Sequence, residues 1–116
     1  MKILIADDEK AFCVLLTERF IQKGNHVECA YDGISALELI KANRYDIIFL
    51  DHNMPELTGM ELVKYIKENN ITARTVMITG YQEINEGFMK ILGVDEYLTK
   101  PVKLTDIDAI IEKYSK

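Results

Sequence analysis

The sequence predicts an α/β domain in which five parallel strands form one sheet with helices on both faces. Short apolar runs alternate five times with longer amphipathic runs, and this alternation is typical of a doubly wound parallel sheet. Neither an internal repeat nor a low-complexity linker interrupts the pattern. The chain has 116 residues, of which 48% are hydrophobic, and this is the size of one ordinary domain. We therefore expect a single domain over residues 1–116.

The strands are expected at the short apolar runs. Residues 47–50 and 76–78 are continuously apolar, as strands covered by helices on both faces must be, so these two strands are predicted to be central. Residues 27–29 alternate apolar and charged side chains, which predicts an edge strand with one face toward solvent. The five predicted strands are residues 2–6, 27–30, 46–50, 75–79 and 96–99.

The amphipathic runs are predicted to be helices. The clearest helix start is at Thr58, because Thr58 and Glu61 have the spacing of a capping box, and Leu57 and Leu62 have the spacing of a hydrophobic staple. In the last run, apolar residues recur at helical spacing and predict one stripe that packs on the sheet. The five predicted helices are residues 10–23, 34–43, 59–68, 82–92 and 104–114.

The composition argues against several classes of protein. A net charge of −5 without a basic cluster is unlike a nucleic-acid-binding surface. No run approaches the roughly 18 apolar residues of a membrane span, and a strand-like segment directly after Met1 is unlike a signal sequence, so a cytoplasmic location is expected. Cys13 and Cys29 are expected to be free, buried thiols. With His26 and His52 they lack the close pair typical of structural zinc sites.

Polar residues follow four of the five predicted strands. In an open parallel sheet, ligands bind beyond the carboxyl ends of the strands, so these residues are expected to lie on one rim. They are Asp7, Asp8 and Glu9 after the first strand, Asp51, His52 and Asn53 after the third, Thr79 and Gly80 at the fourth, and Thr99, Lys100 and Pro101 at the fifth.

Three carboxylates on one rim need a compensating positive charge. Two like charges about 4 Å apart repel by roughly 4 kcal/mol at an effective dielectric constant near 20. Mg²⁺ prefers oxygen ligands and commonly keeps phosphate as one of them, which makes Asp7, Asp8 and Asp51 predicted ligands. Lys100 and Thr79 add an ammonium and a hydroxyl suited to phosphate oxygens. Taken singly, each residue is explained as a helix-terminal or surface group, but their joint placement favours a phosphoryl site.

Over essentially its whole length, the sequence resembles the receiver domains of two-component response regulators. The resemblance is carried, in the order that the family shows, by Asp7 and Asp8, the segment from Asp51 to Pro55, Gly59, Thr79, Tyr97, Lys100 and Pro101. It implies the flavodoxin-like fold of chemotaxis regulators, with strand order 2-1-3-4-5. It also implies a signalling switch that is not an enzyme but assists its own phosphorylation and dephosphorylation.

The resemblance further implies that Asp51 accepts the phosphoryl group from a phosphohistidine on a sensor histidine kinase or phosphotransfer protein. Mg²⁺, with Mn²⁺ as an alternative, would be the cofactor. The implied metal ligands are Asp8, Asp51 and the backbone carbonyl of Asn53, with Asp7 acting through bound water. The implied phosphoryl contacts are Lys100, Thr79 and the backbone N–H groups of His52 and Gly80.

Thr79 and Tyr97 are the implied switch pair. The Thr79 hydroxyl would move toward the phosphate, and the Tyr97 ring would turn into the vacated space, changing the surface of the fourth helix, fifth strand and fifth helix for an unidentified target. The bond between Lys100 and Pro101 is expected to be cis, as in the family, although only about 5% of such bonds are cis. Gly80 and His52 depart from the commonest family residues, which leaves the acyl-phosphate lifetime and the role of His52 open.

Two other functions are less consistent with these residues than a phosphorylated receiver. A pseudo-receiver, a binding module that needs no phosphorylation, usually lacks the acceptor or one of the paired acids, and all of them are present here. An aspartate-nucleophile phosphatase needs a second acid two positions after the nucleophile, where this chain has Asn53. No output domain is expected, so the chain is a stand-alone messenger, a relay intermediate or an excised receiver. The cognate kinase, the target and the oligomeric state are not determined by the sequence.

Overall fold

Five helices and five parallel strands alternate along the chain in the computed structural model, which describes residues 1–80 and 86–115. The elements are β1 (Lys2–Ala6), α1 (Lys10–Gln22), β2 (His26–Ala30), α2 (Gly33–Ala42), β3 (Ile47–Asp51), α3 (Gly59–Glu68), β4 (Arg74–Thr79), α4 (Glu86–Leu92), β5 (Glu96–Thr99) and α5 (Leu104–Tyr114). These elements confirm the predicted alternation. Where an observed end can be compared with its predicted end, the two differ by no more than one residue. The predicted start of the fourth helix, at residues 82–85, lies outside the described residues.

The sheet has the order β2-β1-β3-β4-β5 with all neighbours parallel. β2 is an edge strand, and β3 and β4 each lie between two strands, as predicted. The chain moves outward from β1 to β2 and then crosses back to β3, so the strand order reverses between β1 and β3. At such a reversal the connecting loops diverge and leave a crevice at the carboxyl ends of the strands.

Apolar side chains fill both faces of the sheet and form two core clusters. Along β3 successive side chains alternate between the faces: Ile48 and Leu50 join the cluster under α2 and α3, while Ile47 and Phe49 join the cluster under α1 and α5. All five residues of β3 are buried. Phe49 stacks on Phe20 of α1 with the ring centroids 5.5 Å apart, which fixes that helix on its face of the sheet.

α3 begins with the predicted capping box. Glu61 N–H donates to Thr58 Oγ1 at 3.2 Å, and Thr58 N–H donates to Glu61 Oε1 at 3.3 Å. Leu62 is buried in the first core cluster, and Leu57 packs against that cluster. The start of α3 is therefore held from both its polar and its apolar side.

α5 carries the predicted apolar stripe. Ile107 and Ile111 are buried in the second cluster together with Ile110, and Leu104 and Tyr114 pack against it. On its outer side, Asp108 accepts hydrogen bonds from Arg19 of α1 and lies 3.0 Å from Lys23 Nζ. These ion pairs tie α5 to α1, and the bond from Arg19 holds the pKa of Asp108 well below its usual range.

The remaining expectations from composition concern the thiols and membrane spans. Cys13 is buried, Cys29 is half-buried, and both are free, so full burial was predicted correctly only for Cys13. Within residues 1–80 and 86–115, neither cysteine belongs to a cluster with the geometry of a metal site. Over the same ranges, each helix is too short or too polar to cross a lipid bilayer.

Candidate metal and phosphoryl site

Three carboxylates converge where β1 and β3 end side by side. Ala6 pairs with Leu50 in the sheet, so Asp7 follows β1 next to Asp51, the last residue of β3. Each of Asp7, Asp8 and Asp51 offers an oxygen, and these oxygens all lie within 4.8 Å of one another. Asp7 and Asp51 are 1% and 3% exposed, whereas Asp8 is exposed. The cluster is therefore buried on one side and open to solvent on the other.

The protein only partly neutralises the negative charge of the buried Asp7 carboxylate. Its Oδ1 accepts a hydrogen bond from Glu9 N–H at 2.8 Å, whereas its buried Oδ2 has no hydrogen-bond partner among the described residues. Burial raises the pKa of Asp7 to about 6, and repulsion from Asp51 acts in the same direction, against the Glu9 N–H and Lys100. The Lys100 ammonium lies 3.4 Å from this oxygen, but a buried carboxylate oxygen without a hydrogen bond is still costly, so this site suits an added cation.

Oxygen donors alone make up the cluster, which suits a hard divalent cation such as Mg²⁺ better than a soft one. Asp7, Asp8 and Asp51 supply three carboxylates, and together they carry more negative charge than the neighbouring Lys100 can balance. The residues present therefore fit the magnesium that the sequence predicted.

Lys100 is the positive group of the site. Its Nζ lies 3.4 Å from Asp7 Oδ2 and 3.4 Å from Asp51 Oδ2. Burial lowers the pKa of Lys100, but attraction to Asp7 and Asp51 outweighs it, so the pKa is raised and the side chain is cationic. Its backbone N–H donates to Thr79 O at 2.8 Å, and the following bond to Pro101 is cis, as predicted.

The loop from β3 to α3 holds Asp51 from the other side. Asn53 N–H donates to Asp51 Oδ1 at 3.2 Å, and Gly59 N–H donates to His52 O at 3.3 Å. A Cβ atom on Gly59 would lie 2.8 Å from Asp51 O and 2.9 Å from Met77 Sδ. Only glycine lets the start of α3 approach the acceptor backbone this closely.

Farther along the same loop, Leu57 N–H donates to Pro55 O at 2.9 Å across Glu56, whose φ of 74° is positive. This three-residue γ-turn is an uncommon conformation for a residue other than glycine. It brings Leu57 against Gly33, where an added Cβ would lie 2.3 Å from Leu57 O. The β3–α3 loop is thus packed on the start of α2 and is not a free surface loop.

The two backbone donors predicted for the phosphoryl group differ in their surroundings. His52 N–H donates to Ile78 O at 3.1 Å, so in this structure it is already engaged by β4. The His52 side chain is half-buried, and its Nδ1 has no hydrogen-bond partner among the described residues. Gly80 is exposed, and among residues 1–80 and 86–115 a Cβ on it would meet Lys100 alone, at 3.9 Å.

The two predicted switch residues lie on neighbouring strands. Thr79 is buried at the end of β4, and Tyr97 lies on β5, half-buried and packed against the first core cluster. In the register of the two strands, Thr79 pairs with Thr99 and Met77 pairs with Tyr97. Tyr97 is thus set back from the rim by two residues, on the strand adjacent to Thr79.

Sequence reasoning missed two side chains of α1 that touch the site. The Phe12 ring lies under Lys100, with Nζ 5.8 Å from the ring centroid, and Cys13 Sγ donates to Asp7 O at 3.4 Å. Their position just after Asp7 and Asp8 was a signal that α1 starts at the site. Which of its side chains face the site depends on how the helix packs.

An open and mostly apolar cleft of about 650 Å³ lies beside Lys100, between α1 and the start of α5. Leu15 contributes to its wall and is 47% exposed. The other lining residues are Glu9, Phe12, Gly80, Lys100, Pro101, Val102 and Leu104.

Known proteins with similar sequences and folds carry the same architecture. The family model of the response regulator receiver domain matches residues 3–112. The chain is 32% identical to sporulation initiation phosphotransferase F of Bacillus subtilis, over 97% of this chain and 92% of that protein. It is 30% identical to the transcriptional regulatory protein TctD of Salmonella typhimurium, over 94% of this chain but 49% of that protein. The chain thus spans about half the length of the transcriptional regulators that it matches.

A solved structure supports the same assignment. The response regulator TrrA of Thermotoga maritima, in complex with Mg²⁺ and BeF, superposes with a TM-score of 0.86 at 26% identity, covering 97% of both chains. The fold is the flavodoxin-like receiver fold, with strand order 2-1-3-4-5. The chain belongs to the response regulator receiver domain family of two-component signal transduction.

Proposed function

We propose that this receiver domain accepts a phosphoryl group on Asp51 and acts as a phosphorylation-activated signalling switch. The observation that carries the proposal is the placement of Asp51, buried, beside Asp7 and Asp8 and 3.4 Å from the Lys100 ammonium. A nucleophile, a metal-binding oxygen cluster and a fixed cation are the parts that phosphoryl transfer requires.

In the proposed reaction, a carboxylate oxygen of Asp51 attacks the phosphorus of a phosphohistidine. The new bond joins Asp51 to phosphorus, and the bond from phosphorus to the histidine nitrogen breaks, leaving that electron pair on the imidazole. Bound Mg²⁺ supplies positive charge that offsets the negative charge on the phosphoryl oxygens. Its proposed ligands are Asp8, Asp51 and the backbone carbonyl of Asn53, with Asp7 acting through bound water. Lys100 moves from its contact with Asp7 and Asp51 to a phosphoryl oxygen. Its ammonium thereby positions the phosphoryl group and stabilises its negative charge.

Backbone N–H groups complete the proposed phosphoryl contacts. Asn53 N–H already donates to Asp51 Oδ1 at 3.2 Å, so we add it to the predicted donor at Gly80. The predicted donor at His52 would first have to give up Ile78 O, to which it donates at 3.1 Å. Thr79 is the proposed hydroxyl donor from β4.

The proposed output runs from Thr79 to Tyr97 and on to the surface of α4, β5 and α5. Support comes from the neighbouring positions of the two residues on β4 and β5. On α4, the large apolar side chain of Ile91 is 87% exposed, and exposed apolar surface of this kind is a feature of protein-binding sites. A downstream protein is the proposed occupant of this surface.

The phosphoryl donor is proposed to be a sensor histidine kinase or a phosphotransfer protein, because these are the partners of receiver domains in two-component systems. The near-complete match to a sporulation phosphotransferase and the half-length match to transcriptional regulators support two settings, a relay protein and the receiver part of a longer regulator. The apolar cleft beside Lys100 is the proposed approach side for the donor.

Incubation with acetyl phosphate and Mg²⁺, followed by intact mass, tests the proposal. The expected result is one added phosphoryl group, lost when EDTA is present and absent in Asp51→Asn. Glu112→Gln is the matched control, because Glu112 is exposed near the C-terminal end of α5, whereas α5 starts at the rim, and it should be labelled like the wild type. Equal labelling of Asp51→Asn and the wild type would refute the assignment.

The same experiment separates the proposal from two other functions. A pseudo-receiver would bind its partner but show no added phosphoryl group. A phosphatase would hydrolyse many equivalents of unrelated phosphate esters, for which it needs an acid at the position that Asn53 occupies. Slow loss of a single phosphoryl group from Asp51 is the outcome expected of a switch.

A further inference from the structure

The two cysteines of the chain, far apart in sequence, meet between α1 and β2. Cys13 lies in α1, and Cys29 lies on the edge strand β2, paired in register with Ile5 of β1. Cys29 Sγ lies 4.0 Å from Cys13 O. Cys13 belongs to the second core cluster and Cys29 packs against it, where the two side chains are near enough to perturb each other's pKa. Cys13 is 0% exposed, whereas Cys29 is half-buried. Of the two residues, Cys29 is therefore the more accessible to solvent.

We propose that Cys13 and Cys29 form a redox-active pair, which a hydroperoxide converts into an intramolecular disulfide that weakens the metal site. This modification site is separate from the phosphoryl acceptor. The chain contains no other cysteine, and burial keeps Cys13 from reaching a second molecule. Each sulfur thus has the other as its partner.

Cys29 is the thiol that reacts first. Interaction with the neighbouring Cys13 side chain lowers the pKa of Cys29 to about 6 against the opposing effect of burial, and Thr17 Oγ1, 3.1 Å from Cys29 Sγ, acts in the same direction. The thiolate is the reactive form of cysteine, so nucleophilic character lies on the more exposed sulfur.

The oxidation takes place in two balanced steps. The Cys29 thiolate attacks one oxygen of hydrogen peroxide, the O–O bond breaks, and the products are Cys29 sulfenic acid and hydroxide. The Cys13 sulfur then attacks Cys29 sulfur, the S–O bond breaks, and the Cys13 proton leaves with the hydroxyl group as water. Overall, two thiols and one peroxide give one disulfide and two waters.

A hydrogen bond connects this pair to the metal site. Cys13 S–H donates to the backbone carbonyl of Asp7 at 3.4 Å, at the junction from which Asp7 and Asp8 enter the carboxylate cluster. The disulfide removes that S–H and draws the first turns of α1 toward β2. We expect the oxidised protein to bind Mg²⁺ several-fold more weakly, and reduction to restore the affinity.

The test is oxidation of the full chain with hydrogen peroxide, read by intact mass and by peptide mapping under non-reducing conditions. The expected product has lost two hydrogens, contains a peptide pair linked through Cys13 and Cys29, and runs as a single chain. Peptide mapping also separates this change from oxidation of methionine. Thiols that stay open to alkylation, overoxidation of Cys29 without a disulfide, or a disulfide between two chains would each overturn the proposal.

Variants test which of the two cysteines reacts first. The disulfide test above uses the wild-type protein, so its result does not depend on whether the variants fold. Cys13→Ser should stop at a sulfenic acid on Cys29 that dimedone traps, whereas Cys29→Ser should leave Cys13 unreacted. Thr17→Val should slow oxidation, because it removes a hydrogen bond to Cys29. Faster reaction at Cys13 than at Cys29 would overturn the order. Titration calorimetry of Mg²⁺ with reduced and oxidised wild type tests the link to the metal, and equal affinities would overturn it.

Discussion

Lys100 Nζ lies 3.4 Å from Asp51 Oδ2, so the fixed cation of the site is in contact with the proposed phosphoryl acceptor. The same ammonium lies 3.4 Å from Asp7 Oδ2. One positive charge thus faces three carboxylates, those of Asp7, Asp8 and Asp51. Without metal the site keeps a net negative charge, which costs folding free energy and creates affinity for a divalent cation. This excess of negative charge and the close packing around it determine how the site responds to substitution.

Lys100→Met is expected to destabilise the metal-free protein. The variant keeps an apolar stem but leaves Asp7 and Asp51 facing each other without a cation, at a cost of roughly 1–3 kcal/mol in the free energy of unfolding. Urea unfolding in EDTA measures the loss, and saturating Mg²⁺ should recover part of it. Lys103→Met is the control, since Lys103 is exposed. Equal stability of the two variants would show that Lys100 does not compensate the carboxylates.

Lys100→Met also separates phosphorylation from the response to it. Labelling by acetyl phosphate should persist at a reduced rate, because Asp51 and the metal ligands are unchanged. The structural response should be lost, because the ammonium no longer moves to the phosphoryl group. Tyr97 fluorescence or NMR shifts on β5, measured with BeF in place of phosphate, report the response. A full response in the variant would contradict the proposed role of Lys100.

Asp7→Asn is expected to stabilise the metal-free protein in a pH-dependent way. The pKa of Asp7 is raised from 3.8 to about 6 in the folded state, so above pH 6 folding must keep a buried carboxylate ionised against its preference. Removing that charge should raise the free energy of unfolding by on the order of 1 kcal/mol at about pH 7.5. The gain should shrink as the pH falls from 6 toward 4, where wild-type Asp7 is already protonated.

Unfolding in EDTA at several pH values measures the difference between Asp7→Asn and the wild type. Mg²⁺ should reverse the order at neutral pH, because the wild type binds the metal more tightly. Glu112→Gln is the control, since Glu112 is exposed near the C-terminal end of α5. A stability difference that does not change with pH would rule out Asp7 as its source.

Gly59→Ala is expected to disturb the acceptor. The added Cβ would lie 2.8 Å from Asp51 O and 2.9 Å from Met77 Sδ, so α3 or the end of β3 must shift. Overpacking of this kind costs roughly 1–3 kcal/mol, and labelling of Asp51 should slow because its backbone moves. Thermal unfolding and labelling rates check both effects. Unchanged values would mean that the loop accommodates the methyl group elsewhere.

Gly80→Ala is the matched substitution on the same rim and should be tolerated. Its added Cβ would meet Lys100 at an ordinary contact distance of 3.9 Å and no other residue of the described part of the chain, so stability should stay within about 0.5 kcal/mol of the wild type. The methyl group fills space beside the proposed phosphoryl group and hinders approach of water. The phosphorylated form should therefore lose its phosphoryl group several-fold more slowly. A faster loss would contradict this assignment of Gly80.

The strands and helices followed from local patterns in the sequence. The continuous apolar run of β3 predicted a strand covered on both faces, and it lies in the middle of the sheet with every residue buried. The capping-box spacing of Thr58 and Glu61 located the start of α3. These predictions succeeded because burial and capping depend on residues that are close in the chain. The expectation that Cys29 is fully buried was wrong, because the edge position of β2 leaves it half-covered.

Residue order alone predicts that acids, a hydroxyl and a lysine follow strand ends, and parallel strands direct such ends to one rim. The contacts between elements distant in the chain depend instead on how the elements pack in three dimensions. Such contacts are the 3.4 Å separations around Lys100, the hydrogen bond from His52 N–H to Ile78 O, the approach of Gly59 to Asp51 and the proximity of Cys13 to Cys29. Periodicity specifies which face of an element is apolar, whereas the packing of one element on another sets which side chains touch.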